Sequence, residues 1–270
     1  MGYFYPTKFF NSITQLNKMR LKWVKWLLLG VWMGYTPVNW ADKLADLKQR
    51  AEQGDAVAQN DLGTEYALGS EVAKDYRQAQ KWFRTAAGQG NQLAQYNLGL
   101  MYAHGEGMPI DRKEAAKWFL KAAEQGDVPA QFNLGLMYAN GDGIPRHYEA
   151  AFKWFRKAAE QGHALAQVDL GLMYIRGEGV AKNPNEAVKW FRLSAEQGNA
   201  LAQYYLGLCY FEGEGVAKND QEAYLWFALA AAQGDDNAYG FLDKLETELT
   251  AKQIADAQKR SAKWRPTALP

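Results

Sequence analysis

The chain has 270 residues, with 31 Lys and Arg against 30 Asp and Glu, which gives a formal net charge of +1 at pH 7. A near-neutral chain without a long basic run is not expected to bind nucleic acid. Aromatic residues make up 14% of the chain, and many of them recur at a fixed spacing. Such a chain is expected to fold rather than to be disordered.

The first 41 residues contain five cations and no acidic residue. A basic cluster followed by an apolar run at residues 26–33 is typical of a secretory signal peptide, and the run is too short for an ordinary membrane span. We therefore predict a signal peptide or targeting segment over residues 1–41, with a weak cleavage site after Ala41, and a periplasmic or secreted protein. A start at Met19 would make residues 1–18 an extension. The competing interpretation is an N-terminus that stays attached and anchors the chain to a membrane.

Beyond residue 54 the sequence repeats itself every 36 residues. The segment Ala-Gln-x-x-Leu-Gly begins at Ala58 and returns four times at this spacing, and Trp-Phe and Gln-Gly pairs keep the same register. An internal period of this length predicts a solenoid or an array of helical units. The predicted repeats are 55–90, 91–126, 127–162, 163–198 and 199–234.

Each repeat contains two helical patterns. In the first repeat Ala58, Leu62 and Tyr66 follow an i, i+4, i+8 spacing, which places them on one face of a helix predicted over 56–68. A second helix is predicted over 76–89, with the Trp-Phe pair in its apolar stripe and the Gln-Gly pair at its end. Most of these helices are preceded by Asp or Asn, the residue types that cap helix N-termini.

Both ends depart from this pattern. Residues 42–54 carry one helical pattern, which predicts a single N-terminal capping helix. Residues 235–270 keep part of the repeat motif, with Asp243 in a glycine position, and are predicted to be a degenerate repeat followed by a C-terminal capping helix. Thr250 and Gln253 form the capping box of that last helix. Terminal units of solenoids are often modified so that one face can meet water.

The sequence carries no recognisable catalytic, metal or cofactor motif. The three histidines, His104, His147 and His163, have spacings that fit no zinc site, and two of them occupy helix-capping positions. The glycine-rich loops, such as the one at residues 105–107, lack the strand and the Lys-Ser or Lys-Thr of a phosphate-binding loop. No nucleophile elbow is present. We predict a protein that is not an enzyme and binds no cofactor.

The pattern AxxQxxLGxxYxxGxGVxxDxxxAxxWFxxAAxQG, from about Asp55 to Gly234, resembles the Sel-one-like repeat (SLR), a relative of the tetratricopeptide repeat. The resemblance implies an all-α, right-handed α/α superhelical solenoid of antiparallel helix pairs. It also implies a scaffold or adaptor that binds a protein or peptide partner in a concave groove, and exported bacterial members carry a signal before the repeats.

The resemblance also suggests an alternative function. A cysteine-rich secreted branch of the family has been linked to β-lactam binding or weak hydrolysis, so a cell-wall-related or β-lactam-binding hydrolase is the alternative. That branch carries a cysteine pair in each repeat, whereas this chain has the single Cys209. The residues therefore favour the scaffold.

Positions that vary between repeats are candidates for recognition, because the invariant positions are accounted for by the fold. In tetratricopeptide-like solenoids the varying face of the first helix lines the concave surface, where aromatic residues serve as binding anchors. The alternative is that these side chains only fill the space between repeats. The predicted partner-binding residues are Tyr96, Asn97, Phe132, Asn133, Val168, Asp169, Arg176, Tyr204 and Tyr205.

Overall fold

A computed structural model of the protein describes residues 40–267, so nearly all of the predicted N-terminal segment 1–41 lies outside the described residues. Every regular element in the described range is an α-helix, which confirms the predicted all-α fold. The helices are α1 (Trp40–Glu52), α2 (Ala56–Leu68), α3 (Tyr76–Gly88), α4 (Gln92–His104), α5 (Arg112–Glu124), α6 (Val128–Asn140), α7 (Tyr148–Glu160), α8 (Ala164–Arg176), α9 (Pro184–Glu196), α10 (Ala200–Glu212), α11 (Asp220–Ala231), α12 (Asp236–Glu248) and α13 (Ala251–Lys263).

The chain divides into two compact units after Asp111. The described part of the first unit contains α1 to α4, and the second unit contains α5 to α13. The even-numbered helices from α2 to α10 are the first helices of the predicted repeats, and the odd-numbered helices from α3 to α11 are the second helices. Within the units α2 packs on α3, α6 on α7, α8 on α9 and α10 on α11. The boundary between the units falls inside the second predicted repeat, between its two helices.

The invariant glycine of the first helix lies against the phenylalanine ring of the second helix. A Cβ added at Gly171 would lie 2.5 Å from Cε1 of Phe191, and the same contact at Gly135 would be 2.6 Å from Cδ1 of Phe155. Both phenylalanine rings are fully buried. Glycine therefore stands in the middle of these helices, where it is normally unfavourable, because a ring of the paired helix occupies the space of its side chain.

In repeats 1, 3, 4 and 5 a buried glutamine of the first helix accepts a hydrogen bond from a more exposed glutamine that follows the second helix. In the second unit Gln167 Nε2 donates to the carbonyl oxygen of Ala159 at 3.1 Å, and Gln167 Oε1 accepts from Nε2 of Gln197 at 2.8 Å. The same pattern ties Gln131 to Gln161 at 2.8 Å. An unpaired buried amide would cost about 1–3 kcal/mol, so these hydrogen bonds explain why a buried position of the first helix holds glutamine.

The glycine-rich loops serve close packing between repeats. Gly143 has a φ of +76°, and a Cβ added there would lie 2.5 Å from the backbone carbon of Arg112 at the start of α5. In the first unit Gly107 approaches Tyr76 at the start of α3 in the same way, with a 2.6 Å contact to its Cβ. The first repeat has Glu71 at the corresponding position, and among the described residues only α1 precedes this repeat.

Side chains cap the helices as the sequence indicates, including two histidines. His163 Nδ1 accepts from the backbone N–H of Ala166 at 3.1 Å, and His147 Nδ1 accepts from that of Ala150 at 3.2 Å. Sister repeats use Asp or Asn for this bond, for example Asn199 toward α10. These two histidines therefore have a structural role at helix N-termini.

The last second helix, α11, is apolar on the face that other repeats expose. Leu225 is buried where Lys117, Lys153 and Lys189 are exposed in the earlier repeats. The closing helix α13 packs on α11 and covers this face. Polar contacts fix it there, since Gln258 donates to the hydroxyl of Tyr224 at 3.0 Å. Helix α13 thus shields this end of the hydrophobic core of the second unit from solvent.

Candidate interaction surface

In the first unit the structure places the predicted residues Tyr96 and Asn97 at half-buried positions of α4. Asn97 Nδ2 donates to Oδ1 of Asn60 on α2 at 3.0 Å. Asn60 itself is buried. Asn97 therefore takes part in the packing of neighbouring first helices, and only part of its side chain faces outward.

Three predicted residues of the second unit are buried, which corrects the expectation that they are presented to a partner. Phe132 is 6% exposed, and its ring centroid lies 4.5 Å from that of His163 and 5.8 Å from that of Phe155. Val168 and Asp169 on α8 are fully buried. These positions point from one helix pair toward the next, so that Phe132 and Val168 fill space between repeats.

Two tyrosines of α10 keep part of their surface exposed while their rings are held by neighbours. Tyr205 stacks on Phe191 with ring centroids 5.3 Å apart, and Tyr204 meets Tyr205 edge-on at 5.4 Å. Tyr204 also contacts Phe241 of α12 at 6.1 Å. Burial raises the pKa of both phenol groups, so they stay neutral and can donate a hydrogen bond.

Arg176 lies at the end of α8 and is exposed. Its guanidinium is 3.8 Å from a carboxylate oxygen of Glu178, and its charge acts on the phenol of Tyr205. Arg176 thus lies within electrostatic range of Tyr205, which contacts Tyr204, and we call these three residues the tyrosine–arginine patch. The remaining predicted residue, Asn133, donates to the carbonyl oxygen of Pro129 at 2.9 Å within its own helix and has no described contact with the patch.

Sequence comparison of the repeats missed an aromatic residue beside the patch. Phe211 on α10 packs edge-on against Phe241 with ring centroids 5.4 Å apart. The ammonium groups of Lys244 and Lys218 lie 4.7 Å and 5.5 Å from its ring centroid. The signal was visible, because the same position holds Ala103 and Ala139 in earlier repeats.

Two side chains of types that often act in catalysis, Cys209 and His163, are shielded by burial. Burial raises the pKa of the Cys209 thiol to about 12, which keeps it protonated and unreactive near neutral pH. Burial lowers the pKa of His163 to about 4, and its Nδ1 is used by the helix cap. Within residues 40–267 no group of three or more His, Cys, Asp or Glu side chains is arranged to hold a metal ion. None of the described helices combines the length and apolar character needed to cross a membrane.

Comparison with known proteins identifies the repeat. Five consecutive matches to the Sel1 repeat cover most of the chain, at residues 56–91, 92–127, 128–163, 164–199 and 200–235. The chain belongs to the Sel1 repeat family. Sel1 repeat proteins are generally non-enzymatic scaffolds that mediate protein–protein interactions, and the helical repeats of this member fit that role.

Solved structures support the same fold for this Sel1 repeat protein. A protective antigen of uropathogenic Escherichia coli strains with an SLR fold is 40% identical, with a TM-score of 0.74 over 81% of this chain and 48% of the antigen. A Sel1 repeat protein from Oxalobacter formigenes is 35% identical, with a TM-score of 0.65 over 78% of this chain and 89% of its own.

A curated relative matches over a shorter stretch. The secretory immunoglobulin A-binding protein EsiB of Escherichia coli is 54% identical over 43 residues, which are 16% of this chain and 9% of EsiB. This Sel1 repeat protein therefore spans about half of the Escherichia coli antigen and a small part of EsiB.

Proposed function

We propose that this Sel1 repeat protein is an exported scaffold that binds an extended peptide or a protein partner on the first helices of its second unit. The observation that carries the proposal is the tyrosine–arginine patch, in which two half-exposed tyrosines lie near an exposed arginine. Tyrosine and arginine are enriched among the residues that dominate binding energy at protein interfaces.

The patch is also well ordered for binding. The ring of Tyr205 is held against Phe191 and that of Tyr204 against Tyr205, so little side-chain freedom remains to be lost when a partner binds. The neutral phenols and the guanidinium supply hydrogen-bond donors at the rim of an aromatic surface. Such a combination suits a peptide backbone, whose carbonyl oxygens accept these bonds.

Export is supported by the order of basic and apolar residues in the N-terminal segment 1–41. The similarity to a secretory immunoglobulin A-binding protein and to a protective antigen agrees with export and with a protein as partner. We therefore place the partner in the periplasm or outside the cell.

A comparative capture experiment tests the patch. The mature protein, the variant Arg176→Ala/Tyr205→Ala and the control Arg156→Ala/Tyr239→Ala are each used to capture cross-linked partners from the cell envelope. The control removes the same residue types at exposed positions, with Tyr239 53% exposed. We expect the patch variant to lose at least about tenfold of the captured partner, the effect of one strong interface residue. Equal capture by all three proteins would place the partner on another surface.

A further inference from the structure

The chain after α13 turns back onto the second unit. Trp264 ends the helix with φ −63° and ψ 142°, which are the angles of a polyproline II segment. Three residues later Thr267 donates from its backbone N–H and from its hydroxyl to the carbonyl oxygen of Glu196, at 2.8 Å and 3.1 Å. An extended tail of residues 264–267 is therefore bound to the corner between α9 and α10.

The tail packs against Gly198, and we call the space above this glycine the seat. Gly198 has a φ of +91°, and a Cβ added there would lie 3.2 Å from Cγ of Pro266 and 3.7 Å from Cη2 of Trp264. The proline and tryptophan thus converge on a position that carries no side chain. The equivalent glycines Gly126 and Gly162, at the ends of α5 and α7, have nothing within 4 Å of an added Cβ. The same corner recurs in the second unit, and at those two repeats the space is open.

The tail is held by few contacts. Arg265, Pro266 and Thr267 are exposed, whereas Trp264 is half-buried and packs against the hydrophobic core. The two described hydrogen bonds that Thr267 donates, from its N–H and its hydroxyl, both go to the carbonyl oxygen of Glu196. A segment with so much exposed surface opens at low cost compared with global unfolding.

We propose that the corner at residues 196–198 is a docking site for an extended segment with an aromatic residue two positions before a proline. The protein's own tail occupies the site within the same molecule, and a partner protein's segment of the same chemistry displaces it. A polyproline II segment has no internal hydrogen bonds, so its N–H groups are available to the Glu196 carbonyl oxygen. Its proline and aromatic side chains fill the side-chain-free space above Gly198. This site shares no residue with the tyrosine–arginine patch.

The chain's own tail is a strong competitor, because a short tether holds it at a local concentration in the millimolar range. Binding from outside is therefore measured on a chain whose own tail has been weakened. Trp264→Ala/Thr267→Pro removes the aromatic anchor and both donors to Glu196. The probe is a fluorescent peptide of residues 262–270, and its anisotropy is followed during titration with full-length protein.

Two glycine substitutions distinguish the site from backbone strain. Gly198→Ala, added to the tail-weakened chain, places a Cβ in the seat. Gly162→Ala is the matched control, since its φ of +89° imposes the same strain where nothing lies within 4 Å of the added Cβ. We expect the tail-weakened chain to bind the peptide at least about tenfold more tightly than the wild type, through loss of the tethered competitor. We further expect Gly198→Ala to abolish this binding and Gly162→Ala to preserve it.

Three outcomes would overturn the proposal. The first is no binding of the peptide to the tail-weakened chain at millimolar concentration. The second is equal binding to wild type and tail-weakened chain, which would place the peptide on another surface such as the open corners at Gly126 and Gly162. The third is binding that survives Gly198→Ala in a chain that circular dichroism shows to be folded.

Discussion

The contact between Gly171 and Phe191 predicts that Gly171→Ala destabilises the protein, although alanine is the best helix former. On an open helix this substitution stabilises by about 1 kcal/mol. Here the added Cβ would lie 2.5 Å from Cε1 of a ring that is 1% exposed. Carbon atoms in contact prefer about 3.5–4.0 Å, so the ring has to move by roughly 1 Å.

The size of the effect follows from two opposing contributions. Overpacking of a well-packed core costs about 1–3 kcal/mol. The Phe191 ring is already stacked on Tyr205 at 5.3 Å, so its displacement disturbs a second aromatic contact. We therefore take the upper part of that range, about 2–3 kcal/mol. Subtraction of the helix gain of about 1 kcal/mol leaves a net loss of about 1–2 kcal/mol in the free energy of unfolding.

Urea unfolding followed by far-ultraviolet circular dichroism measures this difference. Gly240→Ala is the matched control, because Gly240 lies within α12 and nothing is within 4 Å of an added Cβ. It should stabilise by about 0.5–1 kcal/mol. Phe191→Leu combined with Gly171→Ala tests the contact itself, since the smaller side chain should relieve the overlap and make the two changes non-additive. A Gly171→Ala variant as stable as Gly240→Ala would refute the proposed role of the ring.

Three further predictions concern burial, protonation and export. Phe132→Ala should lower the free energy of unfolding by about 3–5 kcal/mol, as for a buried aromatic residue. An unchanged thermal melt would show that Phe132 is not part of the core. Because burial lowers the pKa of His163 from 6.5 to about 4, the unfolded chain binds more protons between these values, so stability should fall as the pH drops from about 6.5 toward 4. His163→Asn keeps a capping acceptor without a titrating ring, so it should lose less stability than wild type between about pH 7 and pH 5 in urea titrations. Equal losses of stability would exclude His163 as the cause. His147→Asn, at an exposed cap, is the control. The signal-peptide prediction is tested by intact-mass spectrometry of the native protein from fractionated cells, which should show loss of the segment ending near Ala41, and an intact N-terminus on a cytoplasmic protein would contradict it.

The fold could be predicted from the sequence because its determinants are local and repeated. The spacing of Ala58, Leu62 and Tyr66 predicts a helix over 56–68, and the structure has α2 at Ala56–Leu68. The capping box of Thr250 and Gln253 begins α13. Leu225, which replaces a lysine of the earlier repeats, is a local signal of this kind that was not used to predict that α11 is covered.

The exposure of the candidate binding residues could not be predicted in the same way. Helical spacing separates Phe132 and Val168 from the face that packs within the repeat, but it does not show that the next helix pair covers them. The docking of the tail was equally hidden, because Gly198 occupies the same motif position as Gly126 and Gly162. Such contacts depend on neighbours that are distant in sequence.

The hydrogen bonds of the first-helix glutamines also bear on which segments of this chain can be duplicated or deleted. Gln167 bonds backward over eight residues to Ala159 and forward over thirty residues to Gln197, and Gln203 repeats both offsets toward Ala195 and Gln233. A block such as residues 164–199 therefore contains the Gln167–Gln197 pair whole and shares one glutamine-to-carbonyl bond with the neighbouring repeat at each border. Excising the whole block brings Gln203 to the eight-residue offset from Ala159 that Gln167 has now, whereas removing one residue fewer would change this offset. We therefore expect this solenoid to lengthen or shorten by whole repeats, because the hydrogen bonds between neighbouring repeats then keep their spacing.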